Sequence, residues 1–257
     1  ASHDAVAAAR EAGIDVIVTD HHAVGGELPG AAAVINPRRP DCGAGLGDLA
    51  GVGVAFYLII ALRKHLRDEG FWQDGSEPNL KRFCDLVALG TVADVVPLTA
   101  ENRIFSRAGL EQMVCSHRPG ICALMSVAGL GDRPMAAEDI AFRLGPRINA
   151  AGRMDHAELA LELMTTDDPG RALEIAEELN RLNGERQAVE RRIFDEVVNH
   201  LRLHPHLLER RSLVLASEKW HQGVLGIVAS KVARRYYRPA ILIGTEGDRK
   251  STRLNSS

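Results

Sequence analysis

The sequence predicts an α/β protein, in which a doubly wound parallel-sheet domain is joined by a long helix to a smaller, incomplete α/β domain. Three stretches carry that prediction. An alanine-rich helix from Asp4 to Ala12 feeds the continuous apolar run "IDVIVTD", the pattern of half a doubly wound unit whose strand is covered on both faces. From Pro169 to Leu203, apolar residues return at three- and four-residue steps, as one helical stripe requires. Beyond it "SLVLA", "IVASKVARRYY" and "PAILIG" alternate strand, helix and strand.

Taken in order, Ser2 is placed to cap the first helix and Gly13 to stop it. The strand after it ends on Asp20, His21 and His22, at the carboxyl edge where open parallel sheets place their ligand crevices. The Gly- and Pro-rich stretch from Gly25 to Gly51 reads as ordered coil beside that edge or as a mobile surface loop. Helix resumes from Val52 to Arg67 and from Asn79 to Leu89, where Gly90 breaks it. "TVADVVPL" is then a short apolar element with Asp94 embedded in it. Helices follow from Asn102 to Val114, Gly120 to Ala128 and Ala136 to Leu144, with another near residues 156–164 after "LGPRINAAGRM".

The helix opened by Asp168 and Pro169 would reach roughly 50 Å, which suits a spacer between two domains or a coiled-coil strand. The expected division is 1–166 for the first domain, 167–204 for the long helix, 205–250 for the partial second domain and 251–257 for an unrelated tail. Both ends read as cuts in a longer protein.

Composition narrows the function classes. Lys plus Arg number 31 and Asp plus Glu 34, a formal charge of −3, so there is no global field to gather nucleic acid or an anionic membrane. Any polyanion must be met locally. "VGVAFYLIIAL" is too short to span a bilayer, no secretory leader precedes it, and a cytoplasmic protein is expected. Cys42, Cys84, Cys115 and Cys122 contain no C-x-x-C pair and read as buried thiols in a reducing compartment.

Asp20, His21 and His22 are the first candidates for chemistry. A histidine at a strand end is either a hydrogen-bonded structural residue or a ligand. Adjacent strand residues point to opposite faces, so one histidine could ligate an ion while the other meets substrate. Asp94 within "VADVV" needs a cation or donor if buried, or else caps the turn before Pro97. Nitrogen and carboxylate donors together suit manganese, zinc or iron.

Six blocks in order, "VIVTDHH", "INPRRPDC", "LAGVGVAF", "LGTVADVVPL", "GPRINAAGRM" and "WHQGVLGIVAS", closely resemble the RecJ exonucleases of the DHH phosphoesterase superfamily. The resemblance covers about residues 1–250. It implies a bacterial, cytoplasmic, metal-dependent enzyme that hydrolyses single-stranded DNA from 5′ to 3′ in repair and recombination. It also implies two divalent cations, Mn2+ or Mg2+, between a DHH domain and a DHHA1 domain joined by a long helix. Single-strand binding protein and a helicase are implied partners, and the implied state is a monomer without membrane contact.

Carried onto this chain, the resemblance makes Asp20, His21 and His22 the DHH motif. His21 and Asp94 become metal ligands, His22 lies near the scissile phosphate, and Asp20 orients a histidine. Arg153 would hold a DNA phosphate through its bidentate fork, or else pair with Asp155 or Glu158. Arg147 has the same two readings. His221, Gly223, Gly226 and Ser230 become nucleic-acid contacts, the glycines by offering free amides ahead of a helix, while Trp220 is either core or a stacking platform. The D-x-D motif and further aspartate that the family carries upstream are absent here, and "STRLNSS" stands where a Gly-Ser-rich loop is expected. The isolated chain is therefore expected to bind manganese weakly and to hydrolyse negligibly. A phosphodiesterase acting on oligonucleotides or cyclic dinucleotides, and a non-catalytic nucleic-acid-binding module, are the alternatives.

Overall fold

A computed structural model describes the chain except for residues 1, 73, 74, 115, 132, 154–156, 247, 248, 256 and 257. Cys115, Asp155 and the start of the helix expected near residue 156 lie outside the described residues. The architecture is α/β, with many helices and two small sheets. It divides into two compact units, Ala1–Pro146 and Arg147–Ser257.

The first unit opens with α1 (His3–Glu11), whose Ser2 side chain accepts a hydrogen bond from the Ala5 amide at 3.4 Å. Gly13 follows at φ +73°, a left-handed turn that glycine adopts without strain. β1 (Ile17–Thr19) then pairs in parallel with β2 (Ala33–Ile35), Ile17 opposite Ala33. β2 corrects the reading of residues 25–51 as coil or loop throughout. Three residues leave too short a pattern to stand out between glycines and prolines. The expectation of a strand covered on both faces also fails: Ile17, 61% exposed, and Thr19 share one face of β1 and both are open to solvent.

α2 (Gly51–Asp68) carries the long apolar run, and no helix among the described residues is long and apolar enough to cross a membrane. After a 3-10 turn at Leu80–Phe83, α3 (Cys84–Ala93) runs straight through Gly90. Gly90 is there for contact, not termination. A Cβ at that position would lie 2.7 Å from Cγ1 of Val52, so the residue lets α2 and α3 approach closely. α4 (Ala100–Val114) packs on α3, and α5 (Pro119–Val127) follows. α6 (Ala137–Asp139) continues through a π-helical turn at Ile140–Leu144 into α7 (Gly145–Arg153), so "GPRINAAGR" is helical. Of the cysteines, Cys84 is buried but Cys42 and Cys122 are exposed, which corrects the expectation of buried thiols.

In the second unit, α8 (Ala157–Thr165) packs against α9 (Pro169–Leu203), a helix of 35 residues capped by Asp168, whose carboxylate accepts from the Gly170 amide at 2.8 Å. After a 3-10 turn at Pro205–Glu209 come β3 (Leu213–Ser217), α10 (Gln222–Tyr236), β4 (Ala240–Glu246) and β5 (Arg249–Asn255). β3 and β4 are parallel, linked by α10 as a βαβ crossover, and β5 adds antiparallel to β4. The backbone of residues 251–255 thus forms most of β5. The core of this unit joins Ile193, Val197 and Leu201 of α9 to Val224, Val228 and Val232 of α10 and to Leu213 and Leu242 of the sheet.

One buried charge cluster interrupts that apolar packing. Glu190, 5% exposed, pairs with Arg186 at 3.0 Å and with Lys231, and Arg186 also donates to Asn183 Oδ1 at 3.1 Å. Glu190→Ala leaves the Arg186 guanidinium, largely shielded from solvent, without its counter-ion. The expected result in chemical denaturation is a loss of about 3 kcal/mol, since breaking a buried pair from one side costs more than the pair itself contributes.

Candidate active site

The site is built where β1 and β2 end. The Asp20 amide donates to the Ile35 carbonyl at 3.0 Å, the last hydrogen bond before the chain leaves the sheet. Asp20 Oδ1 then gathers the next two residues. It accepts from the amides of His21 at 2.7 Å and His22 at 3.2 Å, and lies 2.7 Å from Nδ1 of His22. Burial pushes the Asp20 carboxyl up, but the hydrogen bonds from the His22 ring and from both amides outweigh it and hold the pKa down at about 2.

Asn36 locks this turn from the far side, donating from Nδ2 to the His22 carbonyl at 3.0 Å and accepting the Arg38 amide on Oδ1 at 2.9 Å. Asn36 is not among the residues that the sequence marks as candidates. Its signal is an Asn-Pro pair directly after a strand, where an asparagine side chain readily caps the next turn.

His21 turns the other way from His22. Its Nε2 lies 3.5 Å from Oδ2 of Asp94, and its ring packs at the start of α2, where a Cβ added to Gly51 would sit 3.4 Å from Cδ2. The side chains of His21, Asp94 and His22 are 16%, 44% and 78% exposed. His21 is thus enclosed while His22 stands open to solvent. Asp94 is not embedded in an extended apolar element: it is the C-cap of α3, its amide donating to the Gly90 carbonyl at 3.0 Å.

An imidazole nitrogen and a carboxylate oxygen this close suit manganese, zinc or iron. Among the described residues no three of His, Cys, Asp and Glu stand together as a metal cage. His21 and Asp94 therefore fit a divalent cation as part of its coordination sphere.

The expected nucleic-acid contacts lie in the second unit. The Arg153 guanidinium donates to the Gly223 carbonyl at 3.2 Å, and Arg147 donates to Oδ1 of Asn180 at 3.0 Å. Gly223 and Gly226 do not precede α10 but lie within it. His221 is the N-cap, its Nδ1 accepting the Gly223 amide at 3.2 Å, so that amide is already used. A Cβ at Gly223 would fall 3.1 Å from the Arg153 carbonyl carbon, which makes close backbone approach the reason for this glycine. Ser230 is half-buried on α10. Trp220 belongs to the core, 6% exposed and donating from Nε1 to Glu196 Oε2 at 2.8 Å, which leaves no face for base stacking.

Comparison with known proteins places these features among relatives. The N-terminal domain model of the DHH family matches residues 1–91, so Asp94 falls just past that match. The chain is 45% identical over 256 residues to the single-stranded-DNA-specific exonuclease RecJ of Salmonella typhimurium and 46% identical over 256 residues to that of Escherichia coli, covering 96% of this chain and 44% of each relative. Among solved structures it resembles an exonuclease RecJ bound to manganese, with a TM-score of 0.81 and 35% identity over 99% of this chain and 60% of that one. It also resembles RecJ of Thermus thermophilus in complex with Mn2+, with a TM-score of 0.80 and 35% identity over 95% of this chain and 35% of that one. The chain spans less than half the length of these two curated relatives.

Proposed function

We propose, from the premise that this chain belongs to the RecJ family of DHH proteins, that it carries part of the catalytic centre of a metal-dependent exonuclease degrading single-stranded DNA from 5′ to 3′. The observation that carries the reading is the 3.5 Å approach of His21 Nε2 to Asp94 Oδ2, a donor pair brought together from residues far apart in sequence. His21 and Asp94 would hold one of two Mn2+ or Mg2+ ions, which supply Lewis acidity toward the phosphodiester and hydroxide near neutral pH. Among the described residues, two donors fall short of a full coordination sphere.

The chain's own residues divide the remaining work. Asp20 fixes the His22 ring through Nδ1, which leaves Nε2 as the nitrogen that meets a scissile phosphate oxygen in the open part of the site. Asn36 keeps the His22 backbone from following its side chain outward. Arg153 and Arg147 are proposed as phosphate contacts for the strand, on the chemistry of the guanidinium fork, with His221, Gly223, Gly226 and Ser230 beside them. The resemblance extends the same reading to repair and recombination in the cytoplasm, to a monomer, and to single-strand binding protein and a helicase as partners.

The test uses the full-length protein in Mn2+ with single strands labelled at either end. Mononucleotide release from the 5′ end, abolished by chelation, is the expected result. Faster turnover of dinucleotides or cyclic dinucleotides than of long strands would reassign the substrate. The 257-residue chain alone, with two clustered donors among its described residues, is expected to bind manganese weakly and to release no detectable mononucleotide.

A further inference from the structure

Asn102 lies in the first turn of α4 and is 2% exposed. Its Nδ2 donates to two backbone carbonyls from distant parts of the first unit, that of Asp48 at 2.7 Å and that of Pro97 at 2.9 Å. The first carbonyl belongs to the turn that leads into α2, whose Gly51 abuts the His21 ring. The second belongs to the turn that leads away from Asp94. One side-chain amide therefore ties together the backbone segments behind both members of the His21–Asp94 pair. Its Oδ1 is buried without a hydrogen-bond partner among the described residues, so the two N–H groups supply its polar contacts.

The turn it holds is strained. Val95, next to Asp94, has φ +59°, a left-handed conformation that a β-branched side chain adopts only where its surroundings enforce it. Helices commonly place glycine at this position. Val95 is 87% exposed, so packing of its side chain does not enforce the conformation. The Val95 amide keeps a bond to the Val92 carbonyl at 3.2 Å, and Asn102 fixes the chain two residues further on.

We infer that Asn102 is a positioning residue, a clamp that holds the strained Asp94–Pro97 turn and the start of α2 in register so that the Asp94 carboxylate stays within reach of His21. The inference rests on the metal-site reading above. Asn102→Asp is nearly isosteric but sets an oxygen against the Asp48 and Pro97 carbonyls, while Val95→Gly removes the strain that the clamp opposes.

The experiment uses the full-length protein, with manganese affinity measured by paramagnetic resonance, steady-state kinetics on single-stranded DNA, and thermal unfolding without metal. Folded Asn102→Asp is expected to bind manganese about tenfold more weakly and to lose about 10–100-fold in kcat, with KM for DNA within about twofold of the parent. A merely structural asparagine would lower the unfolding midpoint and leave the manganese affinity of folded protein unchanged, and that result overturns the clamp. Adding Val95→Gly should recover part of the lost affinity, because glycine holds the turn without restraint. A double variant no better than Asn102→Asp overturns the role given to strain. Val95→Gly alone should raise the midpoint by a few degrees, and a lowered midpoint likewise overturns the strain. Absence of manganese binding by the unaltered protein would instead overturn the metal reading, while the Val95→Gly midpoint still decides whether the turn is strained.

Discussion

Asp94→Asn in the full-length protein is expected to lower manganese-dependent hydrolysis of single-stranded DNA by about a thousandfold or more, with folding intact. The carboxylate is 44% exposed at a helix C-cap, so its removal deletes no buried contact and stability should move little. What it deletes is half of the donor pair with His21. Loss of about 4 kcal/mol of transition-state stabilisation, a modest share of what a cation supplies, corresponds to three powers of ten. His21→Ala should fall into the same range. The double variant should be scarcely worse than either single one, because residues serving one ion fail together. Rates that multiply independently in the double variant would separate the two residues into different roles.

Asp20 gives a graded contrast. Its pKa of about 2 keeps it ionised across any working pH. A carboxylate held below its ordinary value contributes its stability above that value and loses it only as pH falls toward 2, so Asp20 should impose no acid limb on activity near neutrality. Asp20→Asn should therefore act through the orientation of His22, at about 10–100-fold in rate, and not through a shifted pH profile.

The parts of the fold that could be read in advance were those whose pattern is local. α9 announced itself through Ile175, Leu179, Leu182, Val189, Ile193, Val197 and Leu201, and its start through the capping carboxylate of Asp168, because a helical stripe and a cap need only nearby residues. The Asp-His-His triplet was visible at a strand end for the same reason. What escaped depends on partners distant in sequence. β2 is three residues long and exists as an element because β1 lies beside it. Gly90 looks like a breaker until Val52 is placed against it. The exposure of Ile17 depends on what packs over that face of β1, which its own apolar run does not encode.

Residues serving the site divide along the same line. Asp20, His21, His22 and Asp94 carry side chains whose chemistry draws notice wherever they fall. Asn36 and Asn102 carry ordinary amides whose importance lies in the backbone carbonyls they reach, His22 in one case and Asp48 with Pro97 in the other. The position of Gly223 and Gly226 relative to α10 misleads in the opposite direction. Two glycines suggest open amides before a helix, whereas the helix has already begun at Gln222 and His221 takes the Gly223 amide as its cap.

Gly109→Ala is expected to destabilise the first unit by about 3 kcal/mol, against the usual sign of that substitution in a helix. In an exposed helix interior, alanine for glycine stabilises by about 1 kcal/mol, and Gly184 of α9, exposed and with nothing within 4 Å of an added Cβ, should follow that rule. Gly109 on α4 is in the reverse situation. A Cβ there overlaps the Cys84 carbonyl oxygen and the Ala88 methyl, with the Cys84 carbonyl carbon at 2.9 Å. A backbone carbonyl cannot rotate aside as a side chain would, so relief requires α3 and α4 to separate along a closely packed crossing, which puts the cost at the upper end of the range of about 1–3 kcal/mol for overpacking. Denaturant midpoints of the two variants, measured side by side, should move in opposite directions. Because α3 ends on Asp94, a Gly109→Ala protein that survives by spreading the helices should also lose manganese affinity. A variant with the parent's midpoint and the parent's affinity would mean that α3 is not held by α4, and that the position of Asp94 is set elsewhere.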